Sequence, residues 1–395
     1  MSDRVFEPTQ LEHTQPFGRR YIVSAWYDGL FFLLAPLTAC VAGAALSYWP
    51  DANATFWLGA RRSTPVLFAL GALVHAHLVA VFARSHLDKD VFRAHPFRCT
   101  VVPLATLGAM LVSNTVMLVA TVVVVGWDVY HSAMQTFGLG RFYDRIEGND
   151  VLVGRRLDIG LNLLLYIGPI LSGASLAAHL EKIELLDDTP FSSLTSLPEL
   201  LLSSQPQISR WVWLSIALYL VAYIAAQFVF WRRGFVISLP KVFLLTSTGA
   251  CSLFVWANNP WGMAFFIMNV FHAVQYLALV WWKQRSTLVQ KGRNPLVVLA
   301  VFLGVVLLYG AVAEAVTDEQ RVLWCITQTV ALMHFYYDGF IWSVRKKSLS
   351  ESITRSSCVP TPLHSLPRCP VQCSWWAHRA WSPDVKRWCR SSRQC

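Results

Sequence analysis

The stretch Leu332-Met-His-Phe-Tyr-Tyr-Asp-Gly-Phe-Ile-Trp342 lies inside an apolar run covering 321–344, yet it carries a histidine and, four residues later, an aspartate. A run of about 20 apolar residues is long enough to cross a bilayer as a helix. On a helix, positions four apart share a face, so His334 and Asp338 point the same way. An ionisable pair within such a span is costly and marks a functional site by default. Comparable runs recur along the chain from Ile22 to Val344. The 395 residues are 55% hydrophobic and 14% charged, against about 25% charged in a soluble domain. These features predict an all-α, polytopic helical membrane protein.

Ten spans are expected, at 22–48, 64–84, 100–113, 116–140, 158–180, 210–231, 238–257, 261–283, 295–316 and 321–344. Residues 100–140 could also be read as one helix, with Ser113-Asn114 as the point of division. Loop charge favours two. With ten spans, twenty-one Lys and Arg residues fall on one side and five on the other, whereas merging the pair spoils this asymmetry. By the positive-inside rule both termini are cytoplasmic, and a bacterial cytoplasmic membrane is the expected location. The longest outer loop, 181–209, is acidic. Residues 1–20 are polar, so no cleavable signal is expected. The net charge of +10 comes mainly from these short loops, and no basic stripe interleaved with stacking aromatics suggests nucleic acid. Residues 1–347 form the expected ten-helix membrane domain. Residues 348–395, rich in Ser, Arg, Cys, Pro and Trp without periodicity, read as a disordered cytoplasmic tail. Its Cys369, Cys373, His378 and Cys389 fit no common zinc-finger spacing.

Of eleven histidines, five lie inside even-numbered expected spans: His75 and His77 on the second, His131 on the fourth, His272 on the eighth and His334 on the tenth. All four spans are even-numbered and so run in one direction. Counted from the start of each span, the histidines lie 11 to 15 residues in, a spread of about 6 Å in depth. A lone intramembrane histidine is commonly an interhelical hydrogen-bond partner, but four helices with imidazoles at one depth suggest a shared centre near the bilayer midplane. His75 and His77 cannot both face it from a regular helix; His75 is preferred, because His86 lies three turns along the same face.

Each of the other histidines has a polar companion on its own face: Gln135 beside His131, Gln275 and Tyr276 beside His272, and Asp338 beside His334. Metal-bound histidines usually pass their second ring proton to such groups. Gln135, Gln275 and Asp338 are therefore expected to orient the ligands, with Asp338 also a candidate ligand. Asp28 either joins this outer layer or pairs with a cation such as Arg84. Glu314 is expected in the outer interface. Imidazoles suit iron, copper or zinc, and histidine plus carboxylate with open positions points to non-haem iron(II). A midplane site favours a lipid-soluble substrate and oxygen.

Val129-Tyr-His-Ser-Ala-Met134, Val270-Phe-His-Ala-Val-Gln-Tyr276 and Met333-His-Phe-Tyr-Tyr-Asp-Gly-Phe-Ile-Trp342 resemble the histidine-bearing helices of the Brp/Blh family, bacterial membrane dioxygenases that cleave β-carotene to retinal with iron and oxygen. The resemblance implies that His131, His272 and His334 are iron ligands, with His75 or His77 the fourth. Tyr276 stands where that family has a second histidine in its third motif. The function expected is thus a membrane-embedded iron oxygenase acting on a lipophilic, carotenoid-like or lipid substrate. Asp338 and Tyr276 are then the catalytic candidates, Tyr276 facing oxygen or substrate. The alternatives are a proton-coupled carrier with relaying histidines and a haem-binding electron-transfer protein.

Overall fold

The computed structural model describes residues 20–49, 54–58, 61–173, 175–257, 264–289, 293–317 and 319–342. The C-terminal tail and most of the N-terminal segment lie outside the described residues, and with them the expectations placed there. The described chain is all-α apart from one short hairpin, β1 (Phe56–Leu58) paired antiparallel with β2 (Arg61–Ser63).

The helices follow the apolar runs, and their ends follow local chemistry. The first run is broken: α1 (Ala25–Asp28) passes through a wider turn at Gly29–Leu33, then bends by 50° into α2 (Ala35–Ser47), which has Pro36 in its first turn. α3 (Pro65–Ser85) starts at Thr64, whose hydroxyl accepts the Leu67 N–H. A short α4 (Lys89–Ala94) leads to α5 (Pro96–Val112). α5 ends at Ser113, which has an extended backbone and caps α6 (Asn114–Ile146) through the Val116 N–H. Residues 100–140 are therefore divided where Ser113 breaks them. α7 (Arg155–Ser172) stops before Gly173, where a side chain would overlap the Trp256 carbonyl, and a short α8 (Leu176–Leu180) follows at a sharp bend. The expected fifth span is thus shorter than 158–180. The acidic loop is folded into short helical turns ending in α9 (Leu197–Ser203). Next come α10 (Gln205–Arg232), α11 (Leu239–Ser252), α12 (Ala264–Leu288), α13 (Pro295–Ala315) and α14 (Arg321–Ile341).

Among the described residues, five helices are long and apolar enough to cross a membrane: α3, α6, α10, α11 with its extension to Ala257, and α13. The count is seven if the bent pairs starting at α1 and α7 are each one span. These long apolar helices are compatible with an integral membrane protein. α5 is shorter, and α14, although long enough, is interrupted by Gln328, His334 and Asp338. Position explains the gradation. Only 11% of the α10 window and 17% of the α13 window are buried, so these helices present apolar side chains outward. α12 and α14 pack on α3 in the interior, with Tyr276, Val280, Met333, Tyr337 and Ala76 in one core cluster. α13 closes on α3 through Gly310, where a Cβ would collide with the Ala72 carbonyl.

Candidate metal centre

α3, α6, α12 and α14 meet side by side and bring His77, His131, His272 and His334 together, all four buried. Their rings form a closed circuit. Centroid separations are 5.0 Å from His77 to His272, 5.2 Å from His272 to His131, 4.7 Å from His131 to His334 and 5.0 Å from His334 back to His77. Neighbouring rings are tilted by 70° to 87°, edge against face. Taken as flat, a circuit with sides of about 5 Å has its middle about 3.5 Å from each centroid; an imidazole bound through a nitrogen about 2.1 Å from an ion has its centroid about 3.3 Å away. The circuit is therefore sized for one ion.

The nitrogens point the same way in the chemical argument. Ligand atoms of His77, His272 and His334 lie within 4.8 Å of one another, and so do those of His131, His334 and Asp338. Nε2 of His131 and Nε2 of His334 are 3.0 Å apart, the spacing of two neighbouring ligands each about 2.1 Å from a shared ion. Both ring nitrogens of His272 are buried without a hydrogen-bond partner, and those of His77 and Nδ1 of His334 make no well-formed hydrogen bond. A buried nitrogen without a partner costs about 1–3 kcal/mol, and a metal ion would satisfy several of these at once.

Asp338 is held from one side and open on the other. Its Oδ1 accepts from the Tyr276 hydroxyl at 2.9 Å and from the Trp342 indole N–H at 3.0 Å. Its Oδ2 lies 3.6 Å from His131 Nε2 and 3.7 Å from His334 Nε2. The Tyr276 ring also packs on His334 at 4.5 Å between centroids. Trp342, quoted in the sequence without a role, is the residue that completes this grip; its spacing of four from Asp338 was the available signal.

Several expected site residues sit elsewhere. His75, preferred over His77, faces away from the circuit, with Nε2 3.8 Å from Glu314 Oε2. Glu314 is accordingly a largely buried partner on α13 and not an interfacial group. Gln135 donates to the His272 carbonyl at 3.1 Å and to Gln275 Oε1 at 3.2 Å, and Gln275 donates to the Phe32 carbonyl at 2.8 Å. Both amides thus clamp α6, α12 and the turn after α1, and neither holds an imidazole. Asp28 is fully buried but remote from the rings. It accepts from the backbone N–H groups of Ile22 and Val23 at 2.6 and 2.9 Å and from the Tyr143 hydroxyl at 3.0 Å. Arg84 pairs instead with Asp88. His86 is structural, bridging Ser85 and the Cys99 carbonyl.

A cavity of about 200 Å³ lies beside the circuit. Val74, Asp128, Met268 and Ala331 line it, each three or four residues ahead of the histidine on its own helix. The four helices therefore run parallel past it, and the cavity stacks on the N-terminal side of the histidine layer. Phe335 joins the two: it lines the cavity, and its ring is 5.0 Å from that of His131. No family model, no curated protein and no solved structure matches the chain.

Proposed function

We propose that this chain is a membrane-embedded non-haem iron oxygenase acting on a lipophilic small molecule, carotenoid-like or lipid, with O2. Its expected setting is a bacterial cytoplasmic membrane, crossed ten times with both termini inside. One observation carries the reading: four buried imidazoles close a circuit of ion-binding size while five of their nitrogens make no well-formed hydrogen bond. His77, His131, His272 and His334 would hold the ion, which when bound supplies oxygen activation. Asp338, fixed by Tyr276 and Trp342, would fix the orientation of His131 and His334 and keep negative charge beside the cation. The mostly apolar walls of the adjoining cavity would suit a lipophilic substrate. The converging rings leave no slot for a flat macrocycle between any pair, which disfavours haem. The test is iron content with an absorption spectrum on purified protein, reconstituted anaerobically with iron(II), beside His334→Ala. Stoichiometric iron without a Soret band, lost in the variant, is expected; metal-free wild type after reconstitution overturns the reading.

A proton-coupled carrier draws support from a different observation, the buried Arg141, Asp144, Asp158 and Lys241. That reading predicts proton uptake by proteoliposomes, lost in Asp158→Asn, from a protein that takes up no iron.

A further inference from the structure

The cavity next to the histidine circuit contains an acidic side chain that the oxygenase reading does not use. Its walls are mostly apolar, with Val124, Ile170, Met268 and Phe335 among them, and no lysine or arginine among the described residues lines it. Asp128 lies in this wall. Among the described residues its carboxylate accepts no hydrogen bond and forms no ion pair. The two imidazoles in the wall are committed elsewhere, His75 to Glu314 and His179 Nδ1 to the Ser175 carbonyl at 2.8 Å. A carboxylate in an apolar cavity without a donor is costly, and a ligand that brings one would offset that cost. Asp128 precedes His131 by three residues, about 4.5 Å along the helix axis. A molecule held there would lie one turn from the imidazoles, with Phe335 between.

The chamber has a neighbour toward the hairpin. A second, more open cavity of about 490 Å³ shares Val74, His75 and Asn269 with the first and extends to Arg62 on β2. The two cavities thus abut across Val74, His75 and Asn269, on the hairpin side of the chamber.

We propose that this chamber binds the end of a lipophilic molecule bearing a hydrogen-bond donor, a hydroxyl or an amine, and that Asp128 is the acceptor. The proposal deepens the oxygenase reading by naming a substrate class. It places an otherwise apolar chain beside the circuit with its polar end fixed.

The probe is hexadecanol carrying a mid-chain diazirine, compared with its methyl ether, on the full-length protein in lipid nanodiscs. The alcohol should photolabel residues of the chamber wall on α6, α12 or α14 at concentrations lower than the ether by about tenfold or more, and unlabelled hexadecanol should compete. Asp128→Leu should abolish the difference. Equal labelling by alcohol and ether in the wild type overturns the proposal, as does a preference that survives in Asp128→Leu. Met268→Trp, which fills the chamber, should remove the labelling; labelling that persists also overturns it. The readings separate because labelling is measured with and without iron. Alcohol preference in a protein that never takes up iron overturns only the oxygenase, and iron uptake without alcohol preference overturns only the Asp128 chamber.

Discussion

His75 and His77 are two residues apart on α3, and their side chains diverge accordingly. His77 is fully buried against His272 and His334, whereas His75 turns to Glu314 and the cavity wall. His77→Ala should therefore abolish stoichiometric iron binding, and His75→Ala should retain it, measured as iron per protein after reconstitution; the opposite result would move the centre. Sequence spacing identified the pair but could not choose between them, because the choice depends on the rotation of α3 about its axis. The apolar residues of α3 surround that helix almost evenly and do not fix its rotation. Alignment with His86 was a misleading guide, since His86 bonds Ser85 and the Cys99 carbonyl instead. Tyr276 makes a finer test. Its hydroxyl is one of two donors that fix Asp338, and loss of such an outer partner typically costs about 10–100-fold in metal affinity. Tyr276→Phe should weaken iron binding to that extent and preserve the fold; unchanged affinity would make Tyr276 a packing residue.

Between elements, the strongest ties are polar and were only half legible. Arg141 donates to Asp144 at 2.8 Å and to Asp158 at 2.6 Å; Lys241 reaches the same two carboxylates at 2.7 and 2.8 Å, and the Tyr223 hydroxyl donates to Asp158 at 2.7 Å. This knot joins α6, α7, α10 and α11 in the interior. Arg141 and Lys241 count in the sequence as cytoplasmic-side cations, one just after the span 116–140 and one near the start of 238–257, because charge patterning places basic residues but not the acids that will face them. The Arg141–Asp144 spacing was visible; the arrival of Asp158 and Lys241 was not, since it depends on helix packing. The same holds for the Gln135–Gln275 contact, whose two residues lie 140 positions apart. Removing one member of a buried charge set commonly costs about 3–5 kcal/mol. Arg141→Met, which leaves two carboxylates facing Lys241 alone, should lower the thermal midpoint sharply while any folded fraction binds iron normally. An unchanged midpoint would show that water or lipid already relaxes the knot. Loss of iron from well-folded variant protein would instead couple the knot to the circuit.

At the scale of the molecule, apolarity is graded outward. α10 and α13 are apolar around most of their surface, whereas α12 and α14, which carry His272, Gln275, Tyr276, His334 and Asp338, are enclosed by their neighbours. Of the four metal helices, α3 and α6 are themselves apolar enough to be recognised as spans, whereas α14 became legible as one only through its place among ten. That count rests on loop charge, and two of its twenty-one cations, Arg141 and Lys241, are neutralised in the interior. The asymmetry survives their removal, so ten crossings with both termini inside remain the expectation. α7 is the decisive element, because it bends at Gly173 into the short turns of the acidic segment and is the helix most open to being re-entrant. Leu152 precedes it and Ser193 follows it, both exposed. In intact cells a membrane-impermeant maleimide should label Ser193→Cys above the wild-type background, and Leu152→Cys only after permeabilisation. The reverse pattern would invert the orientation and leave the circuit in place. Labelling of both from one side would mean that α7 does not cross; every later loop would then change sides, and the four histidine helices would no longer share one direction through the bilayer, although they run parallel past the chamber.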